Sequence, residues 1–165
     1  MTVWKFKLAG VLLLGVLVSV GLARSAGQWT LATDVQKYYS CLPFDWYLVM
    51  PAVNGRHPKK DELVQFTPPA YAEKFTESFE VIKIVVATAG DRWRVVNDQL
   101  FVNDEHWGDL HLVSSLGRGP GEFDGAGIVP SGYVFVLGTN PSSYDSRYWG
   151  PLPEDHITGY AHVLL

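Results

Sequence analysis

The chain's hydrophobic pattern changes character twice. Leu8–Ala23, "LAGVLLLGVLVSVGLA", is an uncharged apolar stretch of sixteen residues with Lys5 and Lys7 before it and Arg24 after it. Spanning a bilayer takes about 20 apolar residues, which Ser25–Gly27 would help to supply. Two readings fit: a signal-anchor helix with its lysines in the cytoplasm, or a cleaved signal peptide with small residues around Ala23-Arg24-Ser25. Both put the remainder outside the cytoplasm. The division expected is a membrane segment over 1–27 and a β-rich domain over 28–165.

Beyond residue 40 the apolar runs are short, rich in β-branched and aromatic residues, and separated by Gly, Pro and Asn-Asp turns. That pattern predicts strands rather than long helices. Strands are expected at Phe44–Met50, within Asp61–Pro69, at Val81–Val86, at Trp93–Val96 and Leu100–Val102 about an Asn97-Asp98 turn, at Tyr133–Gly138, and within His156–Leu165. Residues 70–78 could hold a short helix. The Gly- and Pro-rich Ser114–Gly132 reads as a surface loop, because it lacks the strand-to-helix context of a phosphate-binding loop. The class expected is mainly β and antiparallel.

One residue breaks the pattern. Lys83 stands inside Val81-Ile82-Lys83-Ile84-Val85-Val86. An ammonium placed in a buried strand loses its hydration, which favours the neutral amine, and a neutral amine can act as a general base. The plainer alternative is a lysine that lays its stem on apolar surface and keeps its charge in water.

Composition narrows the chemistry. Net charge is −4 and no basic cluster exists, which argues against nucleic acid as a partner. The single cysteine, Cys41, excludes an intrachain disulfide and any multi-thiolate zinc site. The five histidines lack His-x-x-x-His spacing, so neither a metal nor a cofactor is expected.

Three segments, in order, carry a resemblance. "YYSCLPFDWYLV" (38–49) places Cys41 two residues before Pro43 and six before Tyr47, and Ser40 three before Pro43. "VIKIVVATAGD" (81–91) follows "DELVQF" (61–66). "GYVFVLGTNPSSYDSRYWGP" (132–151) contains Ser143, Asp145, Ser146, Arg147, Tyr148 and Gly150. Together these resemble the signal peptidase I superfamily, and within it the TraF-type enzymes that process pilin precursors in conjugative transfer.

The resemblance implies a signal-peptidase-like antiparallel β domain behind a single-pass anchor in the inner membrane, its catalytic part on the periplasmic side. It also implies the roles. In the TraF register Cys41 replaces the nucleophilic serine, whereas in the general signal peptidase register Ser40 is the nucleophile and Cys41 takes a methionine position. Lys83 matches the general base, and Ser143 the serine that holds the lysine amine. Asp145 and Arg147 match a bracing pair, with the aspartate also supporting catalysis. Ser146 belongs to the same box, and Gly90 and Asp91 close the lysine box.

The substrate implied is an exported precursor, such as a pilin, cut after small residues. Other conjugative-transfer proteins are possible partners, and Trp46, Trp93 or Trp149 would rest at the membrane interface or in the core. This sequence departs from the family pattern at Cys41, Ile84, Ala87 and Ala89. A catalytically impaired homologue that serves as a binding or assembly component is therefore the competing expectation.

Overall fold

The structure is a computed structural model that describes residues 28–33, 40–72 and 80–164. The expected membrane segment over 1–27, and most of the short helix expected over 70–78, lie outside the described residues. Among the described residues no helix is long and apolar enough to cross a membrane.

Eleven strands are described: β1 (Thr30–Thr33), β2 (Trp46–Pro51), β3 (Leu63–Phe66), β4 (Val81–Ala87), β5 (Arg92–Val96), β6 (Gln99–Val102), β7 (Glu105–Asp109), β8 (Gly125–Ile128), β9 (Tyr133–Leu137), β10 (Leu152–Pro153) and β11 (Ile157–Val163). One short helix, α1 (Ser146–Trp149), and a 3₁₀ turn at Glu154–His156 complete them. Leu31–Leu165 make one compact unit. The strands form a seven-stranded sheet in the order β1-β2-β11-β3-β4-β9-β10 and a four-stranded sheet in the order β7-β6-β5-β8. From β2 onward the pairings are antiparallel. The mainly β, antiparallel expectation agrees with this architecture.

Strand β4 runs through the interior of the large sheet, between β3 and β9. Its β-branched side chains are needed on both faces. Val85 enters a cluster with Val64, Phe66, Val134, Val136 and Leu152, while Val86 and Ala87 join Val95, Leu100, Val102, Phe135 and Leu137 against the small sheet. A strand buried on both faces reads as a continuous apolar run rather than an alternating one, which is how β4 reads.

The small sheet is built on two tight hairpins. Asn97-Asp98 and Asn103-Asp104 all have positive φ, the conformation that two-residue turns with right-handed strand twist require. The first turn was expected. The second follows the same chemistry and creates β7, which the hydrophobic pattern of "EHWGD" does not announce.

The Gly-rich Ser114–Gly132 segment is not wholly a loop. Gly125–Ile128 form β8, paired to β5 with Trp93 opposite Gly127. A Cβ on Gly127 would lie 3.1 Å from the Trp93 Nε1, so glycine lets the indole lie flat across the strand. The glycines that argue for a loop here make room for an aromatic ring. Trp93 is also 5.6 Å, centroid to centroid, from Phe135.

Candidate active site

The site grows from the register of β4 and β9. Ile84 pairs with Leu137 and Val85 with Val136, so continuing the register sets Lys83 opposite Gly138 at the point where β9 ends. On its other side Lys83 faces Val64 of β3. With strands on both sides, Lys83 is completely buried. It does not lay its charge out into water. Its Nζ donates a 2.6 Å hydrogen bond to the Ser143 Oγ, and among the described residues no carboxylate comes within ion-pairing distance of it.

Ser143 reaches that position because the chain turns sharply after β9. Residues 138–143 fold back, with the Ser143 N–H donating to the Asn140 carbonyl at 2.9 Å. Gly138 makes the approach possible. A Cβ there would overlap the Ser143 Oγ and stand only 2.7 Å from both the Ser143 Cβ and the Cys41 carbonyl oxygen.

Beyond Ser143 lies a buried polar core. Asp145 is fully buried and Arg147 nearly so. The Asp145 carboxylate caps α1 by accepting from the Arg147 N–H at 3.2 Å, and it accepts from the Gly138 N–H at 2.9 Å. The Arg147 guanidinium sits 3.4 Å from the same carboxylate. It also donates to the carbonyls of Gly138 at 2.7 Å and Asn140 at 3.2 Å.

Burial pushes the Asp145 carboxyl above the usual carboxylate range. Arg147, Lys83, the Gly138 N–H and the Ser143 hydroxyl pull in the opposite direction. A chain of contacts thus runs Lys83–Ser143–Asp145–Arg147. Ser146 belongs to the same core, its Oγ accepting from the Val136 N–H at 3.1 Å.

The turn before β2 meets this core through its backbone. The Ser40 carbonyl accepts from the Asn140 Nδ2 at 3.0 Å, and the Cys41 carbonyl accepts from the Asn140 N–H at 3.3 Å and the Thr139 Oγ1 at 3.4 Å. The two candidate nucleophiles differ in what their side chains do. The Ser40 hydroxyl is occupied within its own turn, donating to the Leu42 carbonyl and accepting from the Leu42 N–H. The Cys41 thiol is free and half-buried. The hydrogen bond of Lys83 goes to Ser143 rather than to either candidate. Hydrogen bonds to a nucleophile are often long in a ligand-free site and tighten on substrate.

Gly90 and Asp91 lie apart from these groups, at the end of β4. Gly90 takes a φ of +91°, which suits glycine, and its N–H donates to the Val129 carbonyl. Asp91 accepts from the Thr88 N–H at 2.8 Å and the Asn103 Nδ2 at 2.8 Å, and pairs with Lys60 at 3.1 Å. Partial burial pushes its carboxyl upward, but those bonds outweigh it and hold Asp91 below the usual range. The pair braces the joint between the sheets.

Of the three tryptophans, Trp93 and Trp149 pack against the core and Trp46 is exposed. The motifs do not single out Gly138 or Asn140. The signal available was the turn chemistry of "GTNPSS", whose Asn-Pro invites a tight reversal just after a strand. Among the described residues no cluster of His, Cys, Asp and Glu is suited to a metal ion.

A solved signal peptidase I from Enterococcus faecalis is similar at 23% identity and a TM-score of 0.41, over 67% of this chain and 98% of that one. The sequence is 38% identical over 110 residues to thylakoidal processing peptidase 1 of Arabidopsis thaliana, covering 63% of this chain and 31% of the relative. It is 32% identical over 111 residues to a probable signal peptidase I-2 of Synechocystis, covering 66% and 48%. It is 39% identical over 88 residues to the conjugal transfer protein TraF of Agrobacterium fabrum, covering 52% and 48%. The chain spans half or less of the length of the Arabidopsis, Synechocystis and Agrobacterium relatives. The family described as signal peptidase, peptidase S26, matches residues 7–165, nearly the whole sequence, and the chain belongs to that family.

Proposed function

We propose that this protein is a membrane-anchored signal peptidase that cleaves exported precursors, pilins among them, after small residues. Residues 1–27 would form the anchor and 28–165 the peptidase domain, on the periplasmic side of the inner membrane. The observation that carries the reading is the completely buried Lys83 amine, hydrogen-bonded to Ser143, with no carboxylate among the described residues within ion-pairing distance. Burial beside the Ser143 hydroxyl fixes where the Lys83 amine points, and an amine held in place can serve as a general base.

In this reading Cys41 is the nucleophile, because the Ser40 hydroxyl is already committed to its own turn. Lys83 takes the thiol proton as sulfur attacks the scissile carbonyl carbon. Collapse of the tetrahedral intermediate breaks the C–N bond, and Lys83 returns the proton to the leaving amine. A thioester joins Cys41 to the precursor's N-terminal fragment. Water, deprotonated by Lys83, then hydrolyses that thioester and frees the thiol. Ser143 keeps the amine aimed, and Asp145 with Arg147 keeps Ser143 in place.

Co-expression with pilin precursors tests this, comparing wild type with Ser40→Ala, Cys41→Ala and Lys83→Ala. Cleavage lost in the Cys41 and Lys83 variants and retained in Ser40→Ala is the expected result. If iodoacetamide leaves cleavage intact while Ser40→Ala abolishes it, the nucleophile is Ser40.

The departures from the family pattern at Cys41, Ile84, Ala87 and Ala89, together with a Lys83 amine that bonds neither candidate nucleophile, favour a second reading. There the protein is an impaired homologue that binds precursors or assembles with other conjugative-transfer proteins. Wild type that binds precursor without cutting it would select this alternative.

A further inference from the structure

The turn that carries the candidate nucleophiles is held to the lysine side of the site largely by one residue. Asn140 uses both ends of its side chain and both of its backbone groups. Its Nδ2 donates to the Ser40 carbonyl at 3.0 Å and its N–H to the Cys41 carbonyl at 3.3 Å. Its Oδ1 accepts from the Ser142 N–H at 2.8 Å. Its own carbonyl accepts from the Ser143 N–H at 2.9 Å and the Arg147 Nη1 at 3.2 Å. One side of Asn140 therefore grips residues 40 and 41, and the other grips the serine that holds Lys83. The Thr139 Oγ1 adds a longer bond of 3.4 Å to the Cys41 carbonyl.

Peptide planarity gives this grip a chemical consequence. The Ser40 carbonyl and the Cys41 N–H belong to one rigid peptide unit and point in opposite directions. Fixing the carbonyl on Asn140 fixes the line along which the Cys41 N–H points. When Cys41 attacks a carbonyl carbon, the oxyanion that develops needs a backbone donor already in place.

We propose that Asn140 is a positioning residue. It orients the Cys41 N–H as an oxyanion donor and sets the distance of the Cys41 thiol from the Lys83–Ser143 pair. The inference rests on the peptidase reading with Cys41 as nucleophile. It goes beyond that reading because Asn140 touches neither substrate nor reacting atoms.

Asn140→Asp separates positioning from a merely structural turn. An aspartate keeps the oxygen that accepts from the Ser142 N–H, so it preserves the local turn. It replaces the Nδ2 donor with a second oxygen facing the Ser40 carbonyl. The full-length membrane protein is assayed as wild type, Asn140→Asp and Asn140→Ala, with a cleavable precursor and with a peptide aldehyde that forms a tetrahedral adduct at the nucleophile.

The expected result is a kcat lowered about tenfold to a hundredfold in both variants, with KM within about twofold. Aldehyde inhibition should weaken in step with kcat, and Asp should fail to rescue Ala. Wild-type kcat in Asn140→Asp, or a change confined to KM, would overturn the proposal.

A second measurement needs no cleavage. The rate at which iodoacetamide alkylates Cys41, the chain's single thiol, is compared with and without Lys83→Ala. In the wild-type background Lys83→Ala should change that rate at least threefold, and in Asn140→Asp it should change it little. Equal sensitivity in both backgrounds, or none in either, refutes the positioning role. A wild type that cuts no precursor while showing this pattern would sink the peptidase reading and with it the oxyanion role, leaving only the spacing that Asn140 sets between the Cys41 thiol and the Lys83–Ser143 pair.

Discussion

Two strands of this molecule carry a cation among β-branched neighbours, and their fates are opposite. Lys83 lies on β4 within Val-Ile-Lys-Ile-Val-Val and is completely buried, its amine hydrogen-bonded to the Ser143 hydroxyl. Arg94 lies on β5 within Arg-Trp-Arg-Val-Val, with 40% of its side chain exposed. It lies over the Phe101 ring at 4.0 Å and within 3.8 Å of Asp104.

Local sequence is similar in the two strands. Lys83 is flanked by Val64 of β3 and by the end of β9 and is completely buried, whereas the Arg94 side chain keeps partial access to solvent. Burial, not local sequence, separates the two cations.

The sharpest way to break this comparison is to remove the two cations in turn. Lys83→Ala should lower precursor cleavage by about 10²–10⁴-fold, the usual worth of a general base, while Arg94→Ala leaves cleavage within twofold. Cleavage is read from the precursor-to-product ratio on gels. Equal effects would mean that burial does not mark the working lysine.

Next in size is Arg147→Ala, which removes the guanidinium paired with the fully buried Asp145. It should cost about 3–5 kcal/mol, measured by denaturant unfolding. Asp104→Ala removes a comparable partner from Arg92 on the exposed sheet and should cost under about 1 kcal/mol. Gly127→Ala sharpens the view of how the small sheet is packed. The new methyl presses on the Trp93 ring and should cost about 1–3 kcal/mol, with cleavage unaffected.

Asp91 joins the two sheets, and its effect depends on pH. Because its bonds hold its carboxyl below the usual range, the stability it provides is present above pH ~4 and is lost as pH falls through the lowered value. Asp91→Asn should therefore be less stable than wild type at neutral pH, and the difference should shrink in acid. Thermal melts from pH 7 down to pH 2 check the sign. Smallest of all, Arg94→Ala forfeits an exposed ring contact worth about 0.5–1 kcal/mol, read from the same melts.

Lys83 was legible because a charge inside an apolar run is conspicuous whatever surrounds it, and the Ser-x-Asp-Ser-Arg-Tyr box because its residues are consecutive and chemically unusual together. Strand β8 was not legible. Its glycines carry no pattern of their own, and the reason for them, the flat indole of Trp93, lies on another strand about thirty residues earlier. Strand β7 was hidden in a different way, since its solvent-exposed side chains need no apolar alternation. The turn of Gly138 and Asn140 could be guessed from "GTNPSS", but their contacts with Ser40 and Cys41, about a hundred positions away, have no local pattern to encode them.

The sequence by itself determined a β-branched strand at β4 bearing one amine and turns rather than helices between the apolar runs, both from periodicity and turn chemistry, which are local. That Ser143, Asp145 and Arg147 act together was implied by the family resemblance alone. The tertiary structure supplied the contact of the amine with Ser143 that the resemblance implied, and it alone decided that Arg147 pairs with a carboxylate at zero exposure. It also decided that the backbone of Ser40 and Cys41 is held by Asn140 while the Ser40 hydroxyl turns inward. Those outcomes depend on strand order and on which atoms converge where β9 ends, and convergence is a property of the packed chain.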